Sequence, residues 1–276
     1  MADIKLIATD LDGTFLSSFT EAHPENIVAM KECQKRGIHV CACTGRMWAG
    51  AKNIVTKSGF DRYCVTNNGA SIIDITTGEH RFRSRIDPQY LKAILQYGID
   101  ANASVSVAGY DTLYAYGPTS PDIYDRIKFM QGNPSGDTSK VEIFDDLDEM
   151  VEICAPYAEK IGVRMNFIDN LDKVYDHLSE ITEVEITSSW PGNMEITSKG
   201  GTKAEALSVL ADIYEVDAEN VMTFGDNFND ISMIMWAGIG VAMGNADDRL
   251  KNIANFVTAR NYEGGVAKAI YEMVLA

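Results

Sequence analysis

The feature that most restricts the fold of this chain is a repeated unit: a short unbroken apolar run, a polar cluster, then a helical stretch. Ile4 to Thr9 runs into Asp10-Leu11-Asp12-Gly13, and Ile38 to Cys43 runs into Thr44-Gly45-Arg46. Tyr63 to Thr66 runs into Asn67-Asn68-Gly69, and Val221 to Phe224 into Gly225-Asp226. Runs this short, without strict alternation, suit strands buried on both faces, as in parallel sheets. The stretches between them carry helix punctuation: Pro24 opens one that Gly37 follows, and Gly59 closes the next. After Thr202 the alternation resumes with a helix over Lys203 to Tyr214, strands at Val221 to Phe224, Ile239 to Met243 and Phe256 to Thr258, and helices between. The pattern predicts an α/β fold on a doubly wound, Rossmann-like parallel sheet.

Between the two blocks the pattern lapses. Ser71 to Ile75 and His80 to Arg83 flank Thr76-Thr77-Gly78-Glu79 as a hairpin. Asp87-Pro88 opens a helix to about Tyr97, followed by β-like runs at Ser104 to Val107, Leu113 to Tyr116 and Val184 to Thr187. Gly132 to Ser139 has turn or linker composition, and Asp145 to Ile168 reads ambiguously because Pro156 interrupts a helical pattern. On the order of a hundred residues of mixed structure exceed any loop, so a large inserted α+β domain is expected. The expected division is 1–84 and 192–276 for the core and 85–191 for the insert.

Composition bears on partners. A formal charge of −16, from 24 basic and 40 acidic residues, disfavours phosphate-backbone contacts with nucleic acid and binding to anionic membrane surfaces. It leaves a phosphorylated small molecule open, since a metal or a local cation can invert the field at one site. No apolar stretch is long enough to span a bilayer, and Asp10 interrupts what a signal peptide would need. The odd set of five cysteines has no metal-like pairing, so reduced thiols and a cytoplasmic location are expected.

Four strand ends with acids, hydroxyls, amides and glycines imply one shared site, because open parallel sheets bind ligands outside the carboxyl ends of their strands. Asp10 and Asp12 lie two apart at a strand end and can face one side. At about 4 Å their repulsion is about 4 kcal/mol with an effective dielectric near 20, which calls for a hard divalent cation, best magnesium. An ionised aspartate can attack phosphorus, and a second can protonate the leaving oxygen and then deprotonate water. A calcium loop would need further acids where Phe15 and Leu16 stand. Thr44-Gly45 reads either as a helix N-cap or as a hydroxyl and N–H for phosphate. Thr202-Lys203-Ala204-Glu205 matches a capping box, which puts Lys203 against the helix dipole; a bound anion would relieve it, and a solvated lysine is the plain alternative. Asp226 can complete a metal shell, while Asn229 or Asp230 can reach phosphate or orient the lysine.

Together these residues resemble the haloacid dehalogenase-like (HAD) phosphatase superfamily. Asp10-Leu11-Asp12-Gly13-Thr14 is similar to its first motif, Thr44 to its second, Lys203 to its third, and Gly225-Asp226-Asn227-Phe228-Asn229-Asp230 to its fourth. The large insert, Asn67-Asn68-Gly69-Ala70 and Gly264-Gly265-Val266-Ala267 resemble the Cof-type branch of sugar phosphatases, whose cap is of class IIB. The resemblance implies Asp10 as nucleophile, Asp12 as general acid/base, and Mg2+ held by the Asp10 carboxylate, the Asp12 carbonyl and Asp226. It implies phosphate held by the backbone of Leu11 and Gly45 with Thr44, Lys203 and Asn229, and Asp230 supporting the metal or the lysine. The insert becomes a cap that excludes water and contacts the rest of the substrate. Ser188-Ser189-Trp190 is then a candidate contact loop, with Trp190 either stacking on a sugar or packing at a hinge. The expected activity is hydrolysis of a small phosphate ester, a sugar phosphate by this resemblance, in a monomer or small homo-oligomer. A phosphomutase of the same superfamily, a phospho-accepting receiver and a metabolite-binding protein are the alternatives.

Overall fold

The computed structural model describes residues 3–18, 20–120, 136–165, 171–189 and 191–276. In chain order the strands are β1 (Leu6–Thr9), β2 (His39–Cys43), β3 (Tyr63–Thr66), β4 (Ser71–Asp74), β5 (His80–Arg83), β6 (Ser104–Ala108) and β7 (Thr112–Tyr116). They continue as β8 (Lys140–Phe144), β9 (Lys160–Arg164), β10 (Val184–Thr187), β11 (Asn193–Ser198), β12 (Val221–Gly225), β13 (Ile239–Ala242) and β14 (Phe256–Val257). They form an eight-stranded sheet of order β14-β13-β12-β1-β2-β3-β4-β5 and a six-stranded sheet of order β10-β11-β9-β6-β7-β8. In the larger sheet β14 to β3 are parallel, and β4 and β5 extend it as the expected antiparallel hairpin.

The unbroken apolar runs follow from burial on both faces. Ile7, Val40 and Ala42 pack on the side of the helices Pro24–Lys35, Trp48–Ser58 and Gly265–Met273, while their neighbours Leu6, Ala8, Cys41 and Cys43 pack towards the helix Lys203–Tyr214. Each such aliphatic side chain contributes about 1.5–3 kcal/mol relative to exposure. From β1 the chain moves outward through β2 and β3, then returns to the other side of β1 with β12. The order therefore reverses between β1 and β12, which puts Asp10 and Asp226 side by side at the switch point.

The smaller sheet is covered on one side by the helices Pro88–Asp100, Leu147–Cys154 and Leu171–Ser179. Val105, Val107, Ile161, Val163 and Ile196 face that helical layer, and their sequence neighbours face the other way. The ambiguous stretch from Asp145 becomes a helix that stops at Cys154, a turn Ala155–Tyr157 holding Pro156, and β9. Residues 166–168 of that stretch and residues 132–135 of the expected linker lie outside the described residues. Three strands escaped the sequence reading, β8, β11 and, within the ambiguous stretch, β9. The second matters for the division of the chain: β11 pairs with β10 and β9, so residues 193–198, assigned above to the core, belong to the smaller sheet.

Glu159 buries a carboxylate across the seam between the units. It accepts from Asn67 Nδ2 (2.7 Å), Ser71 Oγ (2.5 Å) and Arg83 Nε (2.8 Å), and meets His80 Nε2 at 3.1 Å. All five cysteines are buried and unpaired, and among the described residues no helix is long and apolar enough to cross a membrane.

Candidate active site

Asp10 follows β1 directly, with its N–H bonded to the Phe224 carbonyl of β12 at 3.0 Å and 5% of its surface exposed. The chain then makes one wide turn over Leu11–Phe15, in which Gly13 has φ +76°. A Cβ on Gly13 would stand 2.3 Å from Asp226 Oδ2, so the glycine makes room for that carboxylate. Thr14 Oγ1 donates to Asp226 Oδ1 at 2.7 Å, which ties the β1 loop to the β12 loop.

Lys203 is fully buried, and its ammonium donates to Asp10 Oδ1 and Asp230 Oδ1, both at 2.6 Å. Thr202 caps the helix as expected by accepting from the Glu205 N–H. The conflict between Lys203 and the helix dipole is met inside the chain, by two carboxylates rather than by a ligand alone. Asp230 turns its other oxygen to the Asp226 N–H (2.8 Å) and the Asn227 N–H (3.0 Å), so it shapes the loop after β12 while holding the lysine.

Asp10, Asp226 and Asp230 each offer a carboxylate oxygen within 4.8 Å of the others. Burial pushes the pKa of Asp10 well above the usual carboxylate range, with Lys203 opposing and Asp230, Asp226 and Asp12 adding. Burial, then Asp230, pushes Asp226 to about 7. Carboxylates crowded in this way lack positive charge. The three acids Asp10, Asp226 and Asp230 stand against one cation, Lys203, which is bonded to Asp10 and Asp230, and this leaves the charge of one divalent ion unmatched. Hard oxygen donors and that deficit fit a hard divalent metal ion.

The carboxylate of Asp12 stands outside this cluster. Arg46 grips it with two bonds, Nε to Oδ2 at 2.7 Å and Nη2 to Oδ1 at 2.5 Å. The expected Asp10–Asp12 repulsion is thus relieved by a separate cation for each acid. Burial lowers the pKa of Arg46, but the bonds to Asp12 outweigh it and raise the guanidinium above its ordinary value.

The other expected residues are placed as follows. Thr44 is buried at the end of β2 and accepts from the Arg46 N–H at 3.2 Å. It is not a helix cap: the next helix starts at Trp48, with Met47 as the preceding residue, so the N-cap reading and the helix terminus expected at Thr44-Gly45 are both corrected. The Leu11 side chain lies in the core, which leaves only its backbone for the site. Asn229 donates through Nδ2 to Asn68 Oδ1 at 3.1 Å. Ser188 and Ser189 lie against the loop after β12: the Ser188 carbonyl accepts from the Asn229 N–H at 3.2 Å, and the Ser189 carbonyl from Asn227 Nδ2. Trp190 lies outside the described residues.

A cavity of about 830 Å³ opens over these groups. Its floor includes Asp10, Gly45, Asp226 and Asn229, and its roof is the smaller sheet, through Ser106, Arg164, Asn193 and Glu195. Sequence reading missed Lys160 and Glu195 and gave no role to Arg46 or Asn68. Arg46 and Asn68 had a signal in the strand-end clusters Thr44-Gly45-Arg46 and Asn67-Asn68-Gly69. Lys160 and Glu195 carry no motif, because their roles arise from pairing across the seam.

Residues 7–270 match the sequence profile of a family described as haloacid dehalogenase-like hydrolase. A 5-amino-6-(5-phospho-D-ribitylamino)uracil phosphatase of Bacillus subtilis is 31% identical over 273 residues, covering 99% of this chain and 97% of its own. Among solved structures, a haloacid dehalogenase-like hydrolase from B. subtilis superposes with a TM-score of 0.86 at 29% identity, over 98% of this chain and 100% of its own. A subclass IIB sugar phosphatase shares the fold, with a TM-score of 0.82 at 22% identity over 99% of this chain and 100% of its own.

Proposed function

Because the chain belongs to the haloacid dehalogenase-like hydrolases, as a phosphatase of small phosphorylated metabolites, we propose that it transfers the phosphoryl group of a sugar or polyol phosphate to Asp10. The observation that carries this reading is the convergence of Asp10, Lys203, Asp226 and Asp230 at the switch point of the sheet. In this reading the Asp10 carboxylate attacks phosphorus, the bond from phosphorus to the leaving oxygen breaks, and Asp12 gives that oxygen its proton. Asp12 then takes a proton from the water that attacks the aspartyl-phosphate, and Asp10 leaves free as inorganic phosphate departs. Arg46 grips both oxygens of Asp12, so it must release one before Asp12 can deliver a proton. Lys203 holds Asp10 in place and offsets charge on the transferring group. The N–H groups of Leu11 and Gly45, the Thr44 hydroxyl and Asn229 are the remaining phosphate contacts.

A magnesium ion would be held by Asp10, the Asp12 carbonyl and Asp226, with Asp230 behind them. When bound it neutralises the phosphoryl oxygens and the crowded acids. Residues from 85 to 198 form the cap in this reading, and their serine, asparagine, arginine and carboxylate groups facing the cavity suit a hydroxyl-rich substrate. The B. subtilis relative is named for a substrate that carries a phosphorylated ribityl chain, which fits the same class. Five buried, unpaired thiols are consistent with a cytoplasmic setting. Release of inorganic phosphate from a panel of sugar, polyol, nucleotide and cofactor phosphates, with magnesium and with chelator, tests the reading. Multiple turnovers on sugar or polyol phosphates, lost in chelator, are expected; no release from any ester with magnesium present would contradict it.

A further inference from the structure

Four buried side chains from four elements form one continuous chain of hydrogen bonds between the two sheets. Lys160 of β9 donates to Glu195 Oε1 of β11 at 2.5 Å. Glu195 Oε2 accepts from Asn68 Nδ2 at 3.1 Å, and Asn68 Oδ1 accepts from Asn229 Nδ2 at 3.1 Å. Lys160 also donates to the Gly45 carbonyl at 2.7 Å. Asn68 and its neighbour Asn67 both hold left-handed backbone, with φ +59° and +49°, a conformation that asparagine tolerates better than most residues. That turn aims one amide at each of two cap carboxylates, Asn67 at Glu159 and Asn68 at Glu195.

The direction of every bond in the chain follows from its first member. Burial pushes the Glu195 pKa up, but Lys160 and the bonds from Lys160, Asn68 and Ser189 outweigh it and hold it below the usual range. An ionised carboxylate only accepts. Asn68 must therefore present its NH2 to Glu195, which leaves its oxygen for Asn229. Asn229 must in turn present its NH2 to Asn68, and among the described residues no acceptor takes the second hydrogen of that NH2. Gly45 gives this pair its room: a Cβ there would meet Asn68 Oδ1 at 2.7 Å and Asn229 Nδ2 at 3.5 Å.

We propose that Glu195 is a positioning residue for phosphate: through Asn68 it fixes the amide orientation in which Asn229 turns an N–H, not an oxygen, to the phosphoryl group. The inference rests on the reading above that Asn229 meets phosphate. It makes the phosphate site complete only while the cap is seated on the core. The effect extends to every substrate, since Glu195 acts on the phosphate end and not on the leaving group.

Glu195→Gln is the sharp test. Lys160 has only donors to offer, so it draws the glutamine oxygen to itself and turns the new NH2 to Asn68. Asn68 and then Asn229 flip in response, and an amide oxygen faces phosphate. With the full chain, p-nitrophenyl phosphate as substrate and inorganic phosphate as inhibitor, Glu195→Gln should raise both KM and the phosphate inhibition constant by about 10-fold or more, with a smaller change in kcat. In an Asn229→Ala background the same substitution should add nothing. A phosphate inhibition constant within about twofold of wild type in Glu195→Gln, or an equal penalty in both backgrounds, would overturn the proposal. If wild type hydrolyses the ester and Asp10→Asn does not, such a result refutes the relay and leaves the phosphatase reading standing.

Discussion

The two sheets put their polar residues in opposite places. The larger buries both faces of its parallel strands, so acids and amides are kept to the strand ends, and Asp10, Thr44, Asn67 and Asp226 collect along one edge. The smaller packs one face on helices and turns the other to the cavity, so Ser106, Arg164 and Glu195 sit within strands, at every second position. The first arrangement builds a site from contiguous peptide loops, which holds charge in one fixed place. The second spreads single side chains over a surface, which suits recognition of varied groups. On this account chemistry resides in one sheet and choice of substrate in the other, with Glu195 the one group of the smaller sheet assigned above to the phosphate end.

Asp10→Asn tests the chemical half with the largest effect. Phosphate release should fall by at least about 100-fold for every ester, small or large, in steady-state assays. A loss confined to some esters would blur the division. Next in size is Lys203→Met, which leaves Asp10 and Asp230 buried without their shared cation. Chemical denaturation without metal should show a loss of about 3–5 kcal/mol. A neutral result would mean that protonation of the two acids replaces the lysine.

The acid cluster also makes a prediction in pH. Its folded-state pKa places Asp226 at about 7, above its ordinary value, so the metal-free fold favours the protonated acid. That contribution is present in full below the unfolded pKa and is lost as pH rises through about 7, so the metal-free Tm should fall over that range. Magnesium competes with the proton and should raise Tm more above that pH than below it. Equal magnesium shifts on both sides, read by calorimetry, would remove the cluster from the metal site. The smallest effect belongs to the cap face. Asn193→Ala should raise KM for a sugar or polyol phosphate by about three- to tenfold while p-nitrophenyl phosphate changes by less than about twofold. A uniform change would mean that the cap serves the phosphate end there too.

The same contrast explains what could be read from the sequence. Strands buried on both faces appear as short apolar runs, and the acids that follow them are adjacent letters, so Asp10, Lys203 and Asp226 stood out. In the smaller sheet Gly162 and the charged residues that face the cavity break the apolar pattern of β9 and β11, and these two strands were missed together with β8. The pairing of Glu195 with Asn68 spans 127 positions and leaves no local trace. Arg46 was visible but unassigned, because its partner Asp12 lies on another strand end. Thr44 was legible as a residue, and of its two readings the cap fails because three further residues precede the helix.

The central claim is that Asp10 carries the phosphoryl group. The direct measurement is a single turnover with enzyme in excess, quenched in acid and analysed by peptide mass spectrometry. The account predicts that the peptide holding Asp10 gains the mass of one phosphoryl group before phosphate is released, and loses it as phosphate appears. Phosphate formed within that turnover with Asp10 unmodified throughout would contradict it.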